Sequence, residues 1–439
     1  MCFKGLMYRF LIFIFFCSLP GLVQAQSSID PSKRIDTTGK KDIINIAKSV
    51  FHVDPKPDTT SKKGKSFYFS ILPLSSAVPG GGRAIFTSTT AGFYMGDRST
   101  TYLSTVSFAP YFNFKGRYGL PFRSNVWLKD NSWTIQGDTR FLVYPQLTWG
   151  LGGRQPEFNK FIVNYEYIRF YQSALKRITS YLYAGLGYNL DYYMDIETDD
   201  RNALQKFTGY PFGTSSDHNS FSSGVTANLL YDSRNNVFNP LPGAYTSVVY
   251  RFNAHALGSD ANWQSLYIDM RKYISLTRTK QQNVLAFWAY YWKTFGNGIP
   301  YLNLPSIGWD PYQRSGRGIE QNRYRGKSLL YFETEYRRDI TANGLLGFVV
   351  FANINSVTEP VTNKFSYWHP AGGTGLRIKF NKSSGSNIAI DYGFSQGYSG
   401  IILGLGEAFY PKLFHCKISH DNCKINITIH KKYLFLKVK

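Results

Sequence analysis

The ten residues LGFVVFANIN, numbers 346–355, alternate between two sets of positions. One set is apolar throughout, while the other ends in Asn353 and Asn355. Successive side chains of a β-strand point to opposite faces, so this period of two predicts a strand with one apolar face. The same period recurs through residues 66–409, most clearly in 132–143, 332–337 and 387–394.

Repeated strands of about ten residues with aromatic ends indicate what the apolar faces contact. The chain contains 33 Tyr, 34 Phe and 8 Trp. A soluble carbohydrate-binding β protein, one alternative, would bury these faces in a core, whereas a transmembrane barrel turns them to lipid and carries aromatic residues at both interfaces. Sixteen alternating segments lie between 67 and 409, and bacterial barrels have even strand numbers. The sequence therefore predicts an all-β fold, a transmembrane antiparallel β-barrel of sixteen strands.

Connection lengths distinguish the two ends of this barrel. Short connections at 129–131 and 277–281 fall at one end, and long ones at 144–159, 193–218 and 295–327 fall at the other. In bacterial barrels the periplasmic turns are short and the external loops are long. The segment 295–327 is therefore predicted as the sixth external loop.

Composition excludes several other classes of protein. Hydrophobic residues make up 43% of the 439, too many for a disordered chain. After residue 25 the longest apolar run is about nine residues, whereas a membrane-spanning helix needs roughly 20. The net charge is +22, but the basic residues are dispersed, without the basic helix or zinc-finger spacing of nucleic-acid-binding proteins. We expect no nucleic-acid partner, and a surface facing anionic lipid head groups or a lumen for anions.

Residues 1–25 have the pattern of a secretory signal peptide. Lys4 and Arg9 precede an apolar run at 10–16, and the segment ends in Val23-Gln24-Ala25. We predict cleavage after Ala25 and, for a barrel, location in the bacterial outer membrane in contact with outer-membrane lipids. The alternative, a retained anchor helix, requires a longer apolar run.

Composition divides the remaining chain into three parts. Residues 26–66 are polar and are predicted to form a periplasmic linker with one short amphipathic helix. Residues 67–409 form the predicted barrel. Residues 410–439, with seven lysines against Asp421 alone, are predicted as a basic C-terminal periplasmic extension.

Three motifs occur in order along the predicted barrel. Residues 231–240 read YDSRNNVFNP, the sixth loop contains RGI at 317–319 and RYRGK at 323–327, and DYGF and GLGEAF stand at 391–394 and 404–409. Over about residues 67–409 the sequence resembles the BamA/TamA superfamily of outer-membrane barrels, also called the bacterial surface antigen family. The residues that match its periplasmic turn are Asp232, Arg234, Pro240 and Gly243.

The resemblance implies that loop six folds into the lumen and that its Arg-Gly pair meets lumen carboxylates. The matching pair is Arg317 and Gly318, and the acceptors with lumen parity are Glu333, Glu335 and Asp391. A buried guanidinium requires charged, planar acceptors. The alternative is that Arg317 is a solvated loop arginine.

Two positions depart from the family pattern near this pair. Asn353 stands where the family often has an acid, and Ile319 replaces the usual aromatic residue. We therefore expect Arg317 to be held less tightly than in the family.

The resemblance also implies a weak junction, the seam, between the first and last strands of the barrel. Gly404 and Gly406 would weaken the last strand, because glycine packs poorly in a ladder. Phe409 matches the terminal aromatic residue of a barrel-assembly signal. Members that insert other barrels carry periplasmic receiving domains, for which residues 26–66 leave no room. We therefore expect periplasmic or barrel-assembly partner proteins.

Two functions fit these observations. The first is a barrel that assists insertion or translocation of envelope proteins without receiving domains of its own. The alternative is a passive anion-preferring pore or a structural barrel, whose lumen would be lined by Gln136, Asp138, Arg140, Arg251, Arg377 and Lys379.

We expect neither enzymatic activity nor a cofactor. Residues 393–397 match the GxSxG pattern of hydrolases, but they join two predicted strands instead of a strand and a helix. The His and Cys residues of 415–423 follow no metal-site spacing that we recognise, so no metal site is predicted.

Overall fold

Alternating side chains build one large antiparallel sheet in the computed structural model. The structure describes residues 39–50, 67–77, 83–113, 118–156, 158–198, 203–215, 219–234, 239–240, 242–277, 281–311, 314–382, 385–405, 407, 416–419, 425–430 and 433–438. The predicted signal peptide, most of the predicted linker, and Gly406 and Phe409 lie outside these residues.

Strands β1 to β17 follow one another around the sheet in chain order, and apart from β3 and β4 each is antiparallel to the next. Their bounds are β1 Phe67–Ala77, β2 Arg83–Phe93, β3 Ser104–Phe108, β4 Tyr111–Asn113, β5 Tyr118–Trp127, β6 Trp133–Thr148, β7 Phe161–Arg177, β8 Leu182–Glu197, β9 Ser220–Asp232, β10 Gly243–Asn253, β11 Trp263–Ser275, β12 Asn283–Gly296, β13 Ser328–Asp339, β14 Leu346–Val357, β15 His369–Asn381, β16 Ser386–Ser395 and β17 Tyr398–Leu405.

Two of these segments are halves of one strand. Both β3 and β4 pair with β2 on one side and β5 on the other. Pro110, which lies between them, has no N–H to donate to the ladder. Among the described residues β1 to β17 therefore make up sixteen antiparallel strands, and the predicted all-β barrel is confirmed.

The two faces of the sheet have the opposite polarity to those of a soluble protein. Charged residues of the strands are buried on the lumen side, among them Arg140, Asp191 and Glu333. Large apolar residues at the intervening positions are exposed on the outside, among them Ile135 and Val350. An apolar exterior around a charged interior is the arrangement that lipid requires of a barrel.

Some strands extend beyond their predicted ends. β6 continues through Thr148, five residues past the predicted end, and its pairing with β7 runs across Pro145. A proline in a sequence usually argues against a central strand. Here the residues before and after Pro145 pair with β7, so β6 continues through it. The third external loop, predicted at 144–159, correspondingly spans only residues 149–160 and is called loop three.

A short helix, α1 (Ile43–Val50), lies against the turns that join β13 to β14 and β15 to β16. Asp42 precedes it, and its Oδ1 accepts a hydrogen bond from the backbone N–H of Asn45 at 2.7 Å. The other oxygen, Oδ2, accepts from the N–H of Lys382 at 2.9 Å. The backbone N–H of Lys41 donates to the carbonyl of Asn343 at 3.1 Å. One carboxylate thus caps the helix and holds it against the barrel.

The remaining elements lie in loops and in the C-terminal segment. Helix α2 (Ala203–Thr208) lies in loop four, and 3-10 turns span Lys129–Asn131, His255–Leu257 and Tyr301–Asn303. Strand β18 (Cys416–Ser419) pairs with β17, and β19 (Ile425–His430) pairs with β20 (Tyr433–Val438). None of the helices in the described part of the chain has the length and apolar character to cross a membrane.

Candidate functional site

Loop six, residues 297–327, connects β12 to β13 and lies inside the lumen. The carbonyl oxygen of Pro311 accepts hydrogen bonds from Nη2 of Arg123 and Nη2 of Arg140, both at 2.8 Å. These arginines belong to β5 and β6, whereas residues further along the loop contact β13 and β16. The loop therefore crosses the interior from one wall to the other.

Asp310 shapes the inner turn of loop six. Its buried carboxylate accepts the backbone N–H of Arg314 at 3.0 Å, the N–H of Ser315 at 2.9 Å and the hydroxyl of Ser315 at 2.6 Å. These bonds give hydrogen-bond partners to the backbone N–H groups that precede Arg317 in the loop. An aspartate that bonds backbone groups a few residues ahead stabilises such turns locally.

Arg325 organises the base of the loop. Its guanidinium is fully buried and donates to the carbonyls of Tyr301 at 3.0 Å and Leu304 at 3.2 Å. The carbonyl of Arg325 in turn accepts the N–H of Gly152 at 2.8 Å, which joins loop six to loop three. Sequence reasoning named the RYRGK motif but not this role of Arg325, because loop contacts follow no strand period.

The structure brings Arg317 together with all three acids that the sequence suggested. Nη1 of Arg317 lies 3.0 Å from Oδ2 of Asp391, and Nη2 lies 2.5 Å from Oε2 of Glu335 and in contact with Oε1 of Glu333. We call Arg317, Glu333, Glu335 and Asp391 the latch. All four side chains are almost completely buried. Arg317 is therefore not a solvated loop arginine.

Electrostatics favour the charged form of Arg317. Burial alone disfavours a charge, but the three carboxylates outweigh that effect and hold the pKa of Arg317 well above its ordinary value. Charge-assisted, nearly bidentate bonds of this kind are the strong hydrogen bonds of proteins. The guanidinium carbon also lies 3.7 Å from the centre of the Phe351 ring.

The two residues that depart from the family pattern make other contacts near Arg317. Nδ2 of Asn353 donates to the carbonyl of Arg317 at 2.9 Å, so this neutral residue binds the main chain instead of the guanidinium. Ile319 is buried with Tyr290 and Tyr331 in an apolar cluster. The weaker hold expected relative to other family members stays a prediction.

Gly318 lets loop six lie directly against the backbone of β16. Its φ is +86°, a left-handed conformation, and a Cβ atom there would lie 2.6 Å from the nitrogen of Phe394. A Cβ on Gly393 would in turn lie 2.6 Å from the nitrogen of Gly318. Only glycine fits this approach of two backbones.

The charged cluster extends beyond the predicted residues. Arg377 contacts Asp391 and lies 2.9 Å from Glu407, while Arg337 contacts Glu335 and lies 3.7 Å from Glu407. Strand parity places Arg337 and Arg377 in the lumen, and the sequence named Arg377 only as a pore-lining residue. Their pairing with the latch acids was not predicted, because parity along one strand does not show which side chains of the neighbouring strands lie close by.

The periplasmic turn motif forms a second buried ion pair. Nε and Nη2 of Arg234 donate to the two carboxylate oxygens of Asp232 at 2.8 and 2.7 Å. The guanidinium lies 4.3 Å from the ring centre of Tyr245. Gly243 has φ +127°, and a Cβ there would lie 2.7 Å from the carbonyl oxygen of Ser233. Pro240 is buried beside this turn, and the intervening residues 235–238 lie outside the described ones.

We expect Arg234→Ala to destabilise the barrel by about 3 kcal/mol, because it leaves the Asp232 carboxylate buried and uncompensated. The measurement is the temperature at which the folded band is lost in heat-modifiable gel migration. Arg234→Lys should recover part of the loss, since lysine keeps the charge but not the planar fork. Lys176→Ala, at an exposed position, is the matched control. An equal midpoint for the Arg234 and Lys176 variants would contradict a stabilising role of the pair.

Three seam residues were predicted, and the structure describes one of them, Gly404 in the last barrel strand. Gly404 pairs with Ala389 of β16, while Gly406 and Phe409 are not among the described residues. The opposite edge of β17 pairs with β18 over four residue pairs. This pairing was not expected from the composition of the C-terminal segment.

A cavity of about 230 Å³, lined by both charged and aromatic residues, occupies the part of the lumen away from the latch. It is lined by strands β5 to β12 and by loop six residues such as Trp309 and Pro311. In its wall Asp138 lies 3.4 Å from Arg123, 2.5 Å from Arg140 and 3.5 Å from Arg169. The cavity is lined by five arginines and three aspartates, so its wall is net positive.

The fold and the inward loop define a sixteen-stranded barrel whose sixth external loop is bound inside the lumen by buried ion pairs. The Omp85 superfamily domain matches residues 105–409, and the chain belongs to this superfamily. The predicted BamA/TamA resemblance is thereby confirmed. Omp85 barrels lie in the outer membrane, work with other proteins, and insert or secrete proteins rather than act as enzymes.

Two solved structures match large parts of this chain. BamA from Haemophilus ducreyi, lacking POTRA domains 1-3, is 12% identical over 81% of this chain and 69% of that one, with a TM-score of 0.48. CdiB from Acinetobacter baumannii is 12% identical over 75% of this chain and 56% of that one, with a TM-score of 0.47. A search of curated protein sequences found no match.

Proposed function

We propose that this protein assists the insertion or translocation of other envelope proteins, its clients, across or into the outer membrane. The supporting observation is the latch, in which Arg317 of loop six binds acids of β13 and β16. β16 is the direct neighbour of the last strand, β17. A loop held beside the last strand is suited to control the seam. Recruitment of clients is assigned to a separate periplasmic or barrel-assembly protein.

The same proposal includes the processing and location of the chain. The signal peptide is removed after Ala25, residues 26–66 lie in the periplasm, and outer-membrane lipids surround the apolar exterior. Helix α1 supports the periplasmic assignment, because it contacts turns at the end of the barrel opposite loop six.

The test is reconstitution of the purified protein in lipid vesicles with an unfolded eight-stranded outer-membrane barrel as client. We expect the client to fold about tenfold faster than in empty vesicles, once the proteins that co-purify with this one in mild detergent are added. Vesicles that hold an unrelated sixteen-stranded porin and the same additions are the control. Equal folding rates in the two kinds of vesicle would refute an assembly role.

The net positive wall around Asp138 favours one alternative, an anion-preferring pore. Loop six opposes this function, because the Pro311 contacts with Arg123 and Arg140 place backbone across the lumen. The same purified protein in a planar bilayer under a salt gradient distinguishes the two functions. A steady open conductance with an anion-selective reversal potential, combined with no effect on client folding, would favour the pore.

A further inference from the structure

We infer that Glu407 is a positioning residue that ties the end of the last strand to the latch, so that latch release and seam opening are coupled. Glu407 lies two residues beyond β17 and has no solvent exposure. The role of this coupling in handling clients rests on the proposed function. The coupling itself is a property of the isolated barrel and can be measured without a client.

Glu407 is bound through both its side chain and its backbone. The carboxylate accepts Nε of Arg377 at 2.9 Å and the amide of Asn387. The carbonyl oxygen of Glu407 accepts Nη1 of Arg314, a loop six residue, at 3.0 Å. Loop six and the lumen wall therefore hold this residue together.

The inward position of Glu407 breaks the alternation of β17. In this strand Gly400, Ile402 and Gly404 are the buried positions. Continued alternation would turn Glu407 outward to lipid, where a carboxylate is unfavourable. Pairing with β16 ends at Leu405, and by residue 407 the side chain is in the lumen. The charged cluster thus fixes a change of direction at the end of the strand.

Ion pairs connect Glu407 to Arg317 without a gap. Asp391 contacts both Arg317 and Arg377, and Arg377 reaches Glu407. The four acids of the cluster are Glu333, Glu335, Asp391 and Glu407, and the four guanidinium groups are Arg314, Arg317, Arg337 and Arg377. Arg377 therefore bridges the latch acid Asp391 and Glu407, so a change at either acid alters the ion pairing of the other.

The test is hydrogen–deuterium exchange of the β17 amides, measured by mass spectrometry on the full-length purified protein in detergent. Exchange reports local opening and needs no client. We expect Glu407→Gln to raise the exchange rate of residues 398–405 about tenfold. Arg317→Ala should raise it similarly, although Arg317 lies in another element. The double variant should exceed neither single variant by more than about twofold, because both substitutions break one coupled unit.

Two further variants keep the test decisive. Asp191→Asn removes a buried lumen carboxylate on β8 that pairs with Arg251, and it should leave β17 exchange unchanged. Asn387→Ala removes one bond to Glu407 without changing charge, and it should raise β17 exchange by a smaller factor if the charge variants fail to fold. Unchanged β17 exchange in Glu407→Gln, or multiplicative effects in the double variant, would overturn the coupling. Coupling without any effect on client folding would refute the proposed function alone.

Discussion

Arg317→Ala should release the Arg317 segment of loop six from β13 and β16 and reduce the rate of client folding at least tenfold. The substitution leaves Glu333, Glu335 and Asp391 buried together with one cation fewer. Breaking a buried ion pair from one side costs about 3–5 kcal/mol, and each 1.4 kcal/mol is a factor of ten in an equilibrium. The loop, which is buried in the intact barrel, should then become sensitive to added protease. Client folding in vesicles and protease cleavage within 297–327 are the two measurements.

The controls separate the charge of Arg317 from its geometry. Arg317→Lys keeps the cation but cannot contact three carboxylates as a planar fork, so an intermediate effect is expected. Arg154→Ala, at an exposed position of loop three, should leave both measurements unchanged. If Arg317→Ala behaves like Arg154→Ala, the latch does not hold the loop.

Gly318→Ala should displace loop six as strongly, although it changes no charge. The added Cβ would lie 2.6 Å from the nitrogen and 2.9 Å from the oxygen of Phe394, both backbone atoms that cannot rotate away. The left-handed backbone at φ +86° adds about 1–2 kcal/mol for any residue with a Cβ. We expect increased protease cleavage of the loop and slower client folding, measured as for Arg317→Ala.

Gly209→Ala isolates the contribution of the backbone conformation. Gly209 also has a positive φ, +64°, but a Cβ there would meet no atom within 4 Å. This variant should lose about 1 kcal/mol of stability and keep loop six protected. If the two glycine variants give the same cleavage of loop six, the contact between Gly318 and β16 is unimportant for the position of the loop.

Sequence periodicity was sufficient to predict the strands and the inward direction of the three latch acids. Side chains of a strand alternate strictly, so Glu333 and Glu335 share a face, and parity on a separate strand puts Asp391 inside as well. The contact of these acids with Arg317 came from the family resemblance, because parity gives the face of a residue but not its partner. The structure supplies the distances that make the pairing specific.

The contacts that sequence could not predict involve residues outside the strand period. Arg325 binds carbonyls of its own loop, and Pro311 accepts hydrogen bonds from Arg123 and Arg140 through its backbone oxygen. No side-chain pattern marks a carbonyl as an acceptor. Glu407 is the clearest case, since alternation along β17 assigns it to the wrong face.

The two hydrogen bonds to the Pro311 carbonyl bear on how the tip of loop six can evolve. Arg123 and Arg140 recognise the path of the main chain and not the identity of a side chain. Substitutions at the tip that preserve this path are therefore expected to be tolerated, whereas the two arginines are not free to change. Related barrels could thus diverge in the amino acids of this loop segment while retaining its position, which would hide a shared mechanism from comparison of their sequences.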